Sequence, residues 1–187
     1  MDTLINKSLE IFETSEMWEN YLELAKIHNK LIQKHYSYNS NKIVDFFREK
    51  NNEWGIIHWG FWDYKWFLKN YGPEAVCLWQ WGNEMGIFIP GYNDNTKVQE
   101  IANNEKYNYL KYLYPNTHTH DTFYSRSHNN FNFESSIEIT FENIAWFIKN
   151  DFQNYLSQLD SKVDVLMKDP KAVHLIKELN HELASLK

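Results

Sequence analysis

Six of the eight tryptophans (Trp54, Trp59, Trp62, Trp66, Trp79 and Trp81) and all six glycines (Gly55, Gly60, Gly72, Gly82, Gly86 and Gly91) fall between residues 54 and 91. Rings of that size bury large apolar areas, and the glycines permit the turns and close backbone approaches that pack them. This stretch has to be the folding centre of the chain. The same rings would also suit the wall of a cleft.

A length of 187 residues fits one domain, 1–187, with a core that needs neither disulfide nor metal. The single cysteine, Cys77, sits among Val76, Leu78 and Trp79, so it has no intramolecular partner and a reducing compartment is expected. No apolar run approaches the roughly 20 residues of a membrane span, and the segment Met1 to Lys7 lacks the features of a signal peptide. The expectation is a cytoplasmic protein with no membrane contact. Net charge is -6, and Arg126 is the one Lys or Arg between Lys111 and Lys149. A long phosphate-tracking stripe is hard to assemble from this, so charge favours a protein partner or a small polar ligand over nucleic acid. An aromatic content of 17% excludes a disordered chain.

Apolar spacing predicts a helix over 15–36 capped by Ser15, a second over 41–50, and a strand over 54–61. Residues 61–71 suit either a helix stopped by Gly72-Pro73 or a strand between aromatic layers, and the stop signal tilts the reading to helix. Residues 75–81 and 86–90 read as a hairpin turning at 82–85. Thr96 and Gln99 have capping-box spacing for a helix reaching Tyr112. The polar segment 116–135 reads as a long loop, 137–141 as a strand, 142–159 as a helix, and Asp169-Pro170 as the start of a last helix. The fold class is therefore α+β: a small, mainly antiparallel sheet from residues 54–90 and 136–141, with an aromatic core covered by roughly four to five helices. Expected core residues are Trp18, Phe46, Trp79, Ile87, Ile139, Ile144 and Trp146.

Three constellations carry chemistry. His118, His120 and Asp121, with His128 downstream, have donor types suited to zinc, although Phe123 stands where the metallo-β-lactamase signature has its last histidine. Asp63-Tyr64-Lys65 is an acid-x-Lys element like that of PD-(D/E)xK nucleases, where two carboxylates hold Mg²⁺ and the lysine assists the attacking water; Asp45 or Glu53 would be the second acid. Asp160-Ser161-Lys162 matches the same pattern, which lowers its specificity. The third is the aromatic set: Trp59, Trp62 and Trp66 share a face if 59–66 is helical, and Trp79 and Trp81 share a face of a strand. Such rings stack on bases or sugars. No phosphate-binding glycine loop is present, since the run Gly82 to Gly86 lacks the following Lys-Ser/Thr.

The text Trp79-Gln80-Trp81-Gly82 and the segment 137–159 resemble accessory regions of bacterial proteins that carry a PD-(D/E)xK nuclease domain in phage-defence or restriction contexts. That resemblance implies a recognition or assembly role beside nucleic-acid enzymes, without catalytic residues. The expectation is a noncatalytic binding protein without a cofactor. Its surface would join Trp59, Trp62, Trp66 and Trp81 to His118, His120, Tyr124, Arg126 and His128 of the polar loop. The alternative is a hydrolase of nucleic acid, dependent on Mg²⁺ or Zn²⁺, with Asp63 and Lys65 catalytic.

Overall fold

The computed structural model describes residues 14–60, 63–82, 84–114, 131 and 141–186, and 125–128 as backbone; at 141–142 it likewise describes the backbone alone. Helices α1 (Ser15–Lys26), α2 (His28–Ser37) and α3 (Ser40–Lys50) lead into strands β1 (Trp54–Trp59), β2 (Asp63–Leu68), β3 (Cys77–Trp81) and β4 (Glu84–Phe88). Then come α4 (Thr96–Ala102), a 3-10 turn at Glu105–Tyr107, α5 (Asn108–Leu113) and β5 (Ser125–His128). Helices α6 (Phe141–Asn150), α7 (Phe152–Met167) and α8 (Pro170–Ala184) complete an α+β architecture.

The sheet is an antiparallel meander in the order β1-β2-β3-β4-β5. Residues 63–68 are therefore strand, correcting the leaning to helix over 61–71. Pairing on both sides, with Trp66 between Ile56 and Leu78, satisfies the β2 backbone and overrides the helix-stop signal, which marks the turn after the strand instead. At the start of β1, Gly55 faces Phe67, and a Cβ there would lie 2.7 Å from the Phe67 ring. Gly55→Ala is expected to cost about 1–3 kcal/mol through displacement of that ring, read from chemical denaturation. An unchanged midpoint would show that Phe67 moves freely.

One face of the sheet, here the inner face, carries Ile56, Tyr64, Trp66, Leu78, Met85 and Ile87, and the helices pack on it. Trp66 meets Phe47 of α3 edge-on at 5.2 Å. Buried Gln80 donates from Nε2 to Gly82 O at 2.9 Å and to the Tyr155 hydroxyl of α7 at 2.8 Å. Asn39, also buried, donates to Ile148 O at 2.7 Å and ties the α2–α3 junction to α6. Outside the core, Lys50 binds Asp160 and Asp164, joining α3 to α7. Gln80→Leu should cost about 2 kcal/mol, because it strands the Tyr155 hydroxyl and Gly82 O in the interior. A thermal melt matching wild type would contradict that role.

Several local expectations are corrected. The first helix breaks at Ile27 (φ -105°, ψ 8°), and its cap is Thr14, which accepts from Met17 N–H, rather than Ser15. Asn95 Oδ1, not Thr96, caps α4 by accepting from Lys97 and Val98 N–H, and that helix ends at Ala102 instead of running to Tyr112. The 142–159 helix is interrupted at Asp151. Residues 132–140, including Ile139, lie outside the described residues, whereas Phe141 begins α6 rather than ending a strand. Residues 125–128, inside the segment read as a loop, form a strand that pairs with β4. Ile87 and Ile144 are buried and Phe46 packs against the core, but Trp18 and Trp146 are each 47% exposed. Helix α1, which carries Trp18, has no buried residue, so its apolar spacing does not record core contact. Asp169 caps α8, with Pro170 in its first turn, as Asp169-Pro170 predicts.

Candidate functional site

Strand alternation sends every second residue to the opposite, outer face, and antiparallel register aligns those residues into rows. One row crosses all five strands through Trp59, Asp63, Trp81, Glu84 and the backbone position of His128. The next passes through Ile57, Lys65, Trp79, Gly86 and the position of Arg126. A third holds Gly55, Phe67, Cys77 and Phe88.

Lys65 is 5% exposed on this face. Its Nζ lies 4.2 Å from the Trp59 ring centroid, 4.3 Å from that of Trp79 and 5.8 Å from that of Phe88. The negative faces of these rings replace the water that burial takes from the ammonium. Asp63 is 9% exposed, and its Oδ1 is buried with no hydrogen-bond partner among the described residues. Trp59 and Trp81, which flank Asp63 in the row, are each 45% exposed. A desolvated carboxyl thus sits between two open indoles. Behind them, the Cys77 thiol is fully buried and pushed up to about 12 by that burial, so it is inert as a nucleophile.

Burial pushes the Asp63 carboxyl up to about 7, against the pull of the Trp79 indole and the Lys65 ammonium. The folded state therefore holds this proton more tightly than the unfolded chain, whose aspartate titrates near 3.9. The resulting stability is complete below about pH 4 and is lost as pH rises to about 7. Denaturation of the wild type between about pH 5 and about pH 8 should show this loss, with a slope no steeper than about 1.4 kcal/mol per pH unit, and Asp63→Asn should lack it. A wild-type curve flat over that interval would contradict a desolvated Asp63. In the acid range the opposite sign applies at Asp164: burial opposes ionisation, but Lys168 and Lys50 hold its carboxyl below the usual range.

The expected residues divide sharply. Asp63, Lys65, Trp59 and Trp81 come together, whereas Trp66 points to the inner face and is fully buried, so it is corrected from ligand contact to core. Trp59 and Trp66 do not share a helical face, because they lie on paired strands with opposite orientation. Trp62, His118, His120, Asp121 and Tyr124 lie outside the described residues; Arg126 and His128 are placed by backbone register at the edge of the two outer rows. Neither proposed second acid joins Asp63: Asp45 is exposed beside Arg48, and Glu53 pairs with Lys177 at the other end of β1. Asp160 of the second acid-x-Lys match binds Lys50. Among the described residues, no three His, Cys, Asp or Glu side chains are grouped to hold a metal ion.

Glu84 and Phe88 are the residues that sequence reasoning missed. The sequence puts Glu84 in the hairpin turn, but Gly82 (φ 58°) makes the connection so tight that pairing resumes at residue 84. Counting by twos from Gly86 would have placed both residues beside Trp79 and Trp81. Among the described residues, no helix is long and apolar enough to cross a membrane. Comparisons with protein-family models, curated proteins and solved structures find no match.

Proposed function

We propose that the chain is a noncatalytic binding protein that takes a neutral polar ligand on the outer face of its sheet. The supporting observation is the row in which half-exposed Trp59 and Trp81 flank Asp63, with Lys65 held in the adjacent aromatic cage. Two strand spacings separate those tryptophans, about 9–10 Å, a span that linked pyranose rings cover. Indoles stack on the C–H faces of such rings, and a carboxylate accepts from their hydroxyls. The Lys65 ammonium over the Trp59 ring discourages a cationic ligand there, and Asp63 with the overall charge of -6 discourages a phosphate chain.

Tryptophan fluorescence titrated with cellotetraose, a neutral oligosaccharide, should show saturable binding that changes little with salt. The double variant Trp59→Ala/Trp81→Ala should weaken it at least about tenfold, equivalent to about 1.4 kcal/mol. Binding that survives the double variant would place the site elsewhere.

The acid-x-Lys spacing of Asp63 and Lys65, brought together on the outer face, supports a second reading, a metal-dependent hydrolase of nucleic acid. The sequence resemblance does not add to it, since it implies a recognition or assembly role beside nucleic-acid enzymes without catalytic residues. Two features argue against catalysis by this face: Lys65 is committed to its ring cage, and the partner acids expected from sequence lie elsewhere. Incubation with single- and double-stranded DNA and Mg²⁺ should leave both substrates intact. Cleavage abolished by Asp63→Ala would replace the first reading with the second.

A further inference from the structure

Helix α1 is amphipathic yet buries no residue. Side chains three and four positions apart share a helix face, so Met17, Tyr21 and Leu24 form one apolar row, with Trp18, Leu22 and Ala25 in the row beside it. Met17, Trp18, Tyr21, Leu22 and Leu24 are all exposed, Leu24 at 54%. The row Met17, Tyr21, Leu24 has the four-then-three spacing of a seam between packed helices.

The charges along this segment come in order. Glu16 and Glu19 stand first, Lys26 ends α1, and Lys30 follows in the first turn of α2. All four are exposed, and among the described residues none has an ion-pair partner. A second copy of the helix, laid antiparallel, complements this order. The register that sets Glu19 opposite the second copy's Lys26 also sets Tyr21 opposite its Leu24, and brings Glu16 within one residue of its Lys30. Two-fold symmetry repeats each of these contacts. Glu19 and Lys26 both neighbour Leu22 on the helix surface, so their pairing borders the seam. A parallel arrangement would instead align acid with acid and lysine with lysine. The polar side of α1 carries Glu16, Glu19 and Glu23 against Lys26, and this disfavours a membrane surface, where interfacial helices rely on Lys and Arg.

We propose that the chain self-associates through α1, with the helices of two copies antiparallel and their apolar stripes in contact. This surface is separate from the tryptophan face of the sheet. A contact about three helical turns long falls short of the roughly 1,200 Å² of a stable interface, so the dimer is weak and reversible, with a dissociation constant on the order of 100 µM.

Sedimentation velocity on the full-length protein, run from about 5 µM to about 1 mM, should show a monomer–dimer equilibrium. Leu24→Glu places a charge in the seam at an exposed position, and should weaken the dimer at least about tenfold while the thermal melt stays that of the wild type. Two further variants read the charge order. Glu16→Lys/Glu19→Lys and Lys26→Glu/Lys30→Glu should each self-associate less than wild type, and an equimolar mixture of the two should form a heterodimer. The proposal is overturned by wild type that stays monomeric at about 1 mM, by a dimer that Leu24→Glu leaves intact, or by charge variants that each pair as well as wild type. Monomeric wild type that binds phosphatidylcholine vesicles, and loses that binding in Leu24→Glu, would overturn it too and assign the stripe to a lipid surface.

Discussion

Trp66→Ala is expected to destabilise the protein by about 3–5 kcal/mol, the largest loss from any single outer or inner ring of the sheet. Trp66 is fully buried in the central region of β2, edge-on to Phe47 and 6.1 Å from Tyr64, with Ile56 and Leu78 as its cross-strand neighbours. Removal of the indole leaves a cavity among Ile56, Leu78, Phe47 and Tyr64, which a close-packed core fills only in part. Trp81→Ala, on the half-exposed outer face, should cost about 1 kcal/mol or less. Urea denaturation of the two variants checks the contrast. Equal losses would mean that the two faces are not packed differently.

The second large effect is expected at Lys65, and it depends on pH. Lys65→Met keeps the apolar stem among Trp59, Trp79 and Phe88 but removes the ammonium that favours an ionised Asp63. The Asp63 carboxyl, already pushed up to about 7 by burial, should rise further. Its folded-state value then lies still higher above the unfolded one, so the variant continues to lose stability over pH values where the wild type has levelled off. At about pH 8.5 the expected cost is about 2–3 kcal/mol, whereas at about pH 5, with Asp63 protonated, it falls below about 1 kcal/mol. Denaturation at the two pH values decides the matter. A cost independent of pH would show that Lys65 contributes only packing.

Both effects trace to features that were partly legible in the amino-acid sequence. The tryptophan and glycine cluster located the sheet, and its alternation put Trp79 and Trp81 on one face. For β2 the run Phe61 to Phe67 held helix and strand signals together, and Gly72-Pro73 terminates either element; only pairing with both neighbours resolves the ambiguity. That uncertainty carried over to the site, since the helical alternative grouped Trp66 with Trp59. Trp18 misled for another reason: apolar spacing shows that one face of α1 is greasy, not that anything packs on it. Asp63 and Lys65 were recognisable as a pair by type and spacing. Their burial was not, because the lysine is shielded by rings from β1, β3 and β4, which only the register brings together.

The binding face is tested most directly by following the indole N–H signals of Trp59 and Trp81 and the Asp63 amide in one titration with cellotetraose. These signals should move together and saturate at a single concentration, while the Trp66 indole in the inner core stays fixed. Motion confined to other surfaces, or no movement at Trp59, Asp63 and Trp81 at millimolar ligand, would contradict it.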